Sequence, residues 1–432
     1  MDGILTKKLL TERFSKIDPM DIEDYISLDG YFALKKALLM SPEEIIGAVK
    51  SSGLRGRGGA GYPMGSKMEA VFRAQGREKY LICNADEGEP GNFKDRYLME
   101  NDPHQLIEGM VICAYAVGAF KGYLFVRGEY TNAINILTAA LEAAYGKGYL
   151  GRNILGSGFD FDIELYPGAG SYVSGEEFAL MVCIEGNPAR STYKPPFPTQ
   201  EGLFNQPTQI NNVETFANIP HIIQNGWEAF SRIGTESSKG TKLVSLSGNV
   251  QNKGLYEVPF GISFRDIIET LGGGVPEGRK VKLVQLGGAS GPCIPSSLLD
   301  LRLDYKEMAA HELTFGSGAV IVMDERADVL DILKRTLEFF NHESCGKCTP
   351  CREGILHMLI ILERFIQNNA TEDDLKLLKT LINTISITSI CGLGQAAPTA
   401  MKSALKYFRE EFTSRINKRF QRTALGGYYE SY

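Results

Sequence analysis

The chain has 432 residues, of which 43% are hydrophobic and 23% charged, and a net charge of −6 at pH 7. At roughly 100 to 200 residues per domain, that length supports two or three domains, each with its own core. The acidic balance argues against a nucleic-acid binder, and no run reaches the roughly 18 uncharged apolar residues of a membrane span.

The N-terminal stretch MDGILTKKLLTERFSK mixes acids and bases and reads as neither a signal nor a transit peptide. Residues 41–52 predict a helix: Ser41 as N-cap, Pro42 at the first position and Glu44 closing a capping box. Next comes GLRGRGGAGYPMGSK, residues 53–67, in which Gly56, Gly58 and Gly61 satisfy G-x-G-x-x-G. A helix precedes this loop where the dinucleotide fingerprint wants a strand, and the order Gly65-Ser66-Lys67 is not a Walker A. With Arg55, Arg57 and Lys67 beside bare glycine amides, it reads either as an anion cradle or as a surface loop.

From there to about residue 240, β-rich runs alternate with helical ones, which predicts a layered α/β domain with mostly parallel strands. CNADEGEPGNFKDR, residues 83–96, ends a strand in Asn84, Asp86, Glu87 and Glu89, either as a solvated turn or as a ligand rim. Met110–Phe120 is apolar but short, and reads as buried helix. YPGAGSYVSGEEFALMVCIEG repeats the strand–glycine–helix pattern; Ser174 and Glu177 fit a capping box, while Glu176 and Glu177 would also carry charge to a pocket mouth. Lys194 and Phe197 in YKPPFP, and Asn211, Asn212 and Thr215 in QINNVETFANI, offer further ligand groups. GTESSKGT, residues 234–241, reads as a linker.

Residues 242–324 predict a strand pair, a helix capped by Ser263 and ended by glycines, and two more strands, an α+β module of the β-grasp kind. Beyond residue 326 nearly everything is helical. Leu330, Leu333, Leu337 and Phe340 hold a three-four spacing, as do three later sets beginning at Ile355, Leu375 and Met401. Four amphipathic helices predict an antiparallel bundle.

Of eight cysteines, Cys83, Cys113 and Cys183 lie in apolar runs and read as core residues, and Cys293 as a loop thiol. Cys345, Cys348 and Cys351 form C-x2-C-x2-C, with Cys391 one helical hairpin later. Two separated ligand pairs would suggest structural zinc; three close cysteines and one distant one suit a cubane iron–sulfur cluster better, with zinc as the alternative. Pro350 delays the next helix, and Gly392 and Gly394 allow close backbone approach. Lys347, Arg352 and a helix N-terminus add positive potential, and His342 reads as a solvated helix residue.

Together, GLRGRGGAGYPMGSK, NADEGEPGNFKDR, PGAGSYVSGEE, INNVET, ESCGKCTPCREG and CGLGQAAP closely resemble the family of flavin-bearing, NADH-oxidising (51 kDa-type, F) subunits of respiratory complex I, from about residue 50 to 415. The resemblance implies a Rossmann-like FMN domain over residues 1–240, a ubiquitin-like β-grasp domain over 241–325 and a C-terminal four-helix bundle over 326–432 carrying a [4Fe-4S] cluster. It implies FMN against Gly56, Arg57, Gly58, Gly59, Lys67, Asn84 and Asp86, with Tyr172, Gly175, Glu176, Asn211, Asn212 and Thr215 completing the pocket. NADH would meet Glu89, Glu177, Lys194 and Phe197, with Tyr62 beside the adenine. The family's aromatic-rich stretch after the lysine is KMEAV here, which implies either a reduced adenine-stacking surface or Phe72 as its substitute.

By the same resemblance NADH passes hydride to FMN, Glu89 and Glu177 tune the site, and electrons leave singly through Cys345, Cys348, Cys351 and Cys391. They go on to a small [2Fe-2S] thioredoxin-like subunit and a large multi-cluster subunit, toward quinone, with the complex peripheral on the cytoplasmic side of the bacterial inner membrane. No nucleic acid and no direct membrane insertion are implied. A diaphorase subunit of an NAD-linked hydrogenase or formate dehydrogenase shares the same motifs, although the chain shows no extra cysteine-rich module. A non-catalytic nucleotide-binding redox sensor or scaffold is the more remote reading.

Overall fold

The computed structural model describes residues 5–76 and 78–417. The outer ends of the first and third expected domains, 1–4 and 418–432, lie outside the described residues. The helix Pro42–Ser52 starts as its sequence dictates, with the Ser41 hydroxyl accepting from the Glu44 amide and the Glu44 carboxylate accepting from the Ser41 amide at 2.7 Å.

β1 (Tyr80–Ala85), β2 (Lys121–Val126), β3 (Asp162–Pro167) and β4 (Thr208–Asn212) form a parallel sheet in the order β3-β2-β1-β4. Alternate residues face opposite layers. Leu81, Cys83 and Ala85 join the main core with the helices Pro103–Val117 and Val213–Asn225, while Tyr80 and Ile82 join a smaller core beneath the helix Glu177–Ile184. Because β4 lies on the opposite side of β1 from β2, the strand order reverses between β1 and β4. Such a reversal opens a crevice beyond the strands' C-terminal ends, where Asn84 and Asn212 stand in register.

The helices Pro103–Val117 and Val213–Asn225 touch so closely that a Cβ on Gly109 would stand 2.1 Å from the Phe216 carbonyl oxygen. Gly109→Ala should lower the thermal midpoint, through a loss of about 1–3 kcal/mol from overpacking, as read by circular dichroism melting.

Residues 234–241 do not form the loose linker that their composition suggests. The hydroxyls of Thr235, Ser237 and Ser238 all donate to the Asp304 carboxylate, the two serines at 2.6 and 2.8 Å. Their convergence on one buried acid ties the connection down and holds that acid well below the usual carboxylate range, with burial opposing.

A second sheet follows: β5 (Thr241–Gly248), β6 (Gly254–Pro259), β7 (Val281–Leu286), β8 (Cys293–Pro295) and β9 (Ala319–Asp324), ordered β6-β5-β9-β7-β8. β5 and β6 form the expected antiparallel pair, and β5 runs parallel to β9. The Ser263 hydroxyl accepts from the Asp266 amide at 3.0 Å as foreseen, but Asp266–Leu271 winds as a wider π-turn before Gly272. β8 is too short to show a period. Cys293, expected in a loop, sits in it fully buried, its amide donating to the Ser403 hydroxyl at 2.8 Å.

The last third packs the helices Val329–Glu343, Thr349–Ile366, Glu372–Thr388 and Thr399–Tyr407 around one core, with the predicted apolar positions turned inward. The fourth helix does not run through Phe412 as its spacing suggests. It breaks at Phe408, which takes a non-helical φ of −125° and ψ of 36°, and a short helix Arg409–Thr413 follows.

Candidate functional site

The helix Val329–Glu343 stops at Ser344, and Cys345–Cys348 form the turn into the helix Thr349–Ile366, with Pro350 in its first turn. The hairpin with Glu372–Thr388 then returns the chain to Cys391, which N-caps Gly392–Ala396. Cys345, Cys348, Cys351 and Cys391 thereby line one cavity, together with Val173, Ser344, Lys347 and Leu393. The Cys391 sulfur meets the Leu393 and Gly394 amides, and the Ser344 hydroxyl lies 3.2 Å from the Cys351 sulfur. Burial, then crowding by the other three thiols, pushes Cys351 up to about 11, against the pull of the Ser344 hydroxyl.

Among the described residues no group of three or more His, Cys, Asp or Glu is arranged to grip one metal ion. A zinc would draw four sulfurs to about 2.3 Å from one point. Four thiols spread around a shared apolar cavity suit the four corners of a cubane instead.

A Cβ on Gly394 would come within 3.0 Å of the Cys351 Cβ, so close approach is required there, whereas Gly392 faces open space. Lys347 reaches the cavity while donating to the Ser191 carbonyl at 2.6 Å. Arg352 contributes less than expected, because its guanidinium turns onto the Gly346 carbonyl and Glu353. His342 is exposed, as foreseen.

The second feature is a cleft of about 540 Å³ at the β1/β4 crevice. Of the residues expected to hold a flavin, Gly58, Asn84, Asp86, Tyr172, Gly175, Glu176 and Asn212 line it, as do Glu89, Glu177 and Lys194 of the dinucleotide set. Gly58 and Gly175 bare the backbone: added Cβ atoms would stand 3.1 Å from the Asn212 Cβ and 3.2 Å from the Asp86 carbonyl oxygen. The Asp86 Oδ1 has no partner, and burial pushes this acid up to about 6 although the Ser174 hydroxyl and Arg127 oppose it. An orphaned acceptor on a glycine-walled cleft fits a polar, planar ligand such as a flavin.

The expected capping box does not form. Glu176 caps the helix, accepting from the Phe178 and Ala179 amides, while the Ser174 hydroxyl donates to Asp86 at 2.7 Å. Glu177 is left to pair with Lys194, which also lies 3.6 Å from Glu176.

The remaining expected residues stand behind or beside the cleft. The Gly56 amide donates to the Tyr62 carbonyl, and Gly59 faces Gly316 and Ser317. Arg57 is buried over the Phe260 ring and donates to the Lys239 carbonyl at 2.7 Å, with its Nε and Nη1 unpartnered. The Thr215 hydroxyl accepts from the Arg57 amide, and Asn211 accepts from Gln209. Lys67 donates to the Ile210 carbonyl and stands 3.9 Å from Glu177. Burial lowers its pKa, with Glu177 opposing.

Tyr62 and Phe197 are exposed. Phe72 is half-buried against the main core, with the Lys79 ammonium over its ring.

Four polar cleft residues escaped sequence reasoning: Asn92, Asp95, Ser290 and Ser317. Asp95 accepts from Asn212 at 2.7 Å and from Lys94 at 2.7 Å. Lys94 also meets Glu214 at 3.0 Å, and Glu214 in turn pairs with Lys242 of β5. These two lysines and Glu214 are fully buried. The carboxylates hold Lys94 well above its ordinary range against burial, while burial pushes Lys242 down to about 7.

Three family models cover most of this architecture: the Nuo51 FMN-binding domain over residues 49–221, the SLBB domain over 243–294 and the NADH-ubiquinone oxidoreductase-F iron-sulfur binding region over 331–415. The chain is 48% identical to the second NADH-quinone oxidoreductase F subunit of Rhizobium meliloti (strain 1021), over 92% of this chain and 95% of that one. It is also 48% identical to the NADP-reducing hydrogenase subunit HndC of Solidesulfovibrio fructosivorans, over 95% and 84%. A crystal structure of NAD+-reducing [NiFe]-hydrogenase in the H2-reduced state superposes with a TM-score of 0.81 at 36% identity, over 88% of this chain. The chain spans only 64% of that structure's matched chain.

A parallel-sheet cleft beside a four-thiol cage, under these models, defines a flavin- and iron–sulfur-binding oxidoreductase subunit. The chain belongs to the family of NADH-quinone oxidoreductase F subunits.

Proposed function

We propose that this chain is the NADH-oxidising subunit of a proton-translocating NADH:quinone oxidoreductase, respiratory complex I. The observation that carries the reading is a shared wall: Val173 and Leu393 line both the cleft and the thiol cavity. FMN, when bound, supplies a two-electron hydride acceptor, and the [4Fe-4S] cluster a one-electron outlet.

The chain's own part is to hold and orient. Asn84, Asp86, Tyr172 and Asn212 would grip FMN from the crevice, with the Gly56–Gly59 loop, Lys67 and Thr215 behind them. Glu89, Glu177 and Lys194 would border NADH, with Tyr62 and Phe197 as exposed aromatic surfaces near its entry. No side chain need act as acid or base. Cys345, Cys348, Cys351 and Cys391 would hold the cluster.

We take the domains as 1–240, 241–325 and 326–432. The strand order β6-β5-β9-β7-β8 supports a ubiquitin-like β-grasp in the middle, and the consecutive helix pairs support a four-helix bundle at the end. Among the described residues no helix is long and apolar enough to cross a membrane. A peripheral place on the cytoplasmic side of the bacterial inner membrane, beside a small [2Fe-2S] thioredoxin-like subunit and a large multi-cluster subunit, fits the family. The similarity to hydrogenase subunits favours a second reading, a diaphorase delivering the same electrons elsewhere.

Purified protein should carry a flavin bleached by NADH and recoloured by ferricyanide. A colourless, flavin-free protein holding zinc would overturn the reading. Co-purifying subunits decide between the quinone and hydrogenase assemblies.

A further inference from the structure

The helix Val329–Glu343 ends between the two cavities, and its last turn grips one residue of the cleft wall by three contacts. The Glu343 carboxylate accepts from the Tyr172 amide at 2.8 Å. The Tyr172 ring packs on Phe339 and Phe340 of the same turn, with centroids 5.1 and 6.2 Å away and planes inclined at 59° and 79°. A helical turn leaves its first amides without partners, and in the turn Tyr172–Gly175 Glu343 supplies the missing acceptor.

The two sides of this contact lead to different sites. On one side the turn is bound to β1, where the Ser174 hydroxyl donates to Asp86 at 2.7 Å and the Asn84 side chain donates to the Gly175 carbonyl at 2.8 Å. On the other side the next residue, Ser344, has its hydroxyl 3.2 Å from the Cys351 sulfur, and Ser344 and Cys345 both line the thiol cavity. Val173, the neighbour of Tyr172, packs into the core of the helical bundle and not into that of the sheet. Glu343 is thus the polar tie between a turn that walls the cleft and a helix end that opens into the thiol cage.

We propose that Glu343 is a positioning residue for electron transfer: it clamps the Tyr172–Gly175 turn to the helix that carries the cysteine loop, and so sets the separation of the two redox centres. The inference rests on the functional reading that places FMN in the cleft and a [4Fe-4S] cluster among the thiols. Hydride from NADH brings the flavin two electrons and a proton. Each passage to the cluster then takes one electron from the flavin, and the proton returns to solvent once both have left. No bond forms or breaks at Glu343. Electron transfer weakens steeply as two centres move apart, so the residue contributes a fixed geometry. Its charge is also felt by Asp86, and reach and charge therefore have to be varied separately.

The test uses the purified complex, with flavin and cluster in place, as wild type, Glu343→Asp and Glu343→Gln. Aspartate keeps the charge but is one methylene too short to reach the Tyr172 amide; glutamine keeps the reach and an acceptor oxygen without the charge. Each protein is mixed with NADH and followed by absorbance for flavin bleaching and by freeze-quench electron paramagnetic resonance for cluster reduction. Hydrogen–deuterium exchange over residues 171–175 reads the clamp itself. Glu343→Asp should bleach at the wild-type rate, reduce its cluster several-fold more slowly and exchange these amides faster, while Glu343→Gln should follow wild type in all three. Wild-type transfer in Glu343→Asp, or equal slowing in both variants, would overturn the inference alone. So would bleaching slowed as much as cluster reduction, or a cluster signal missing from Glu343→Asp after dithionite, since either marks a merely structural role. Wild type that holds no flavin, or whose flavin NADH does not bleach, would overturn the functional reading and this inference with it.

Discussion

Cys391→Ser should abolish the iron–sulfur electron paramagnetic resonance signal while leaving the flavin in place and bleachable by NADH. Serine is a good N-cap, so the helix Gly392–Ala396 keeps its start and the bundle core loses no buried methylene. What disappears is one of four thiols around a common cavity, and a cubane has four corners to anchor. The flavin cleft is held mainly by β1, β4 and the Tyr172–Gly175 turn, none of which touches Cys391 through a hydrogen bond among the described residues. Val173 and Leu393 are the routes by which damage would spread, since both wall the two cavities. Loss of NADH bleaching as well as the cluster would show that the two sites are not separable.

The second large effect is expected from Glu214→Gln. Glu214 faces two buried ammonium groups, those of Lys94 and Lys242, and also accepts the Leu243 amide at 2.9 Å. Neutralising it leaves like charges in a buried site with only Asp95 and Glu87 as counter-charges. Breaking a buried ion pair on one side costs about 3–5 kcal/mol, and the midpoint of urea unfolding should fall accordingly. Flavin retention should fall with it, because Lys94 also donates to the Asn212 side chain at 3.1 Å at the cleft floor. A variant of wild-type stability would mean that the buried charges are not mutually supporting.

How far the sequence discloses this molecule depends on the range of each signal. The Ser41–Glu44 capping box, the alternating strands and the heptad-like helices are local, and they appear where their spacing puts them. The four cysteines were also legible, because one helical hairpin is a predictable way to bring Cys391 back to Cys345–Cys351. Hydroxyl groups were not. Ser174 had two partners available in principle, the amide three residues on and Asp86, and only the packing of the turn against β1 chooses Asp86. Ser290 and Ser317 reach the cleft from a different sheet, so no spacing in the chain points to them. Arg57 was legible as a cation of the glycine-rich loop, but not the stacking of its guanidinium on Phe260.

The Asp304 rivet carries a consequence for how ligands come and go. Three hydroxyls from residues 235–238 clamp the passage between the two sheets, and Lys242 and Ser290 pin the second sheet to the first from two other directions. A hinge needs at least one segment whose dihedral angles can change freely, and this connection offers none. The two sheets should therefore behave as a fixed frame, with nucleotide exchange expected through a standing doorway and not by opening and closing of domains. In such a frame any gating of exchange falls to side chains at the rim, which relax far faster than domains move.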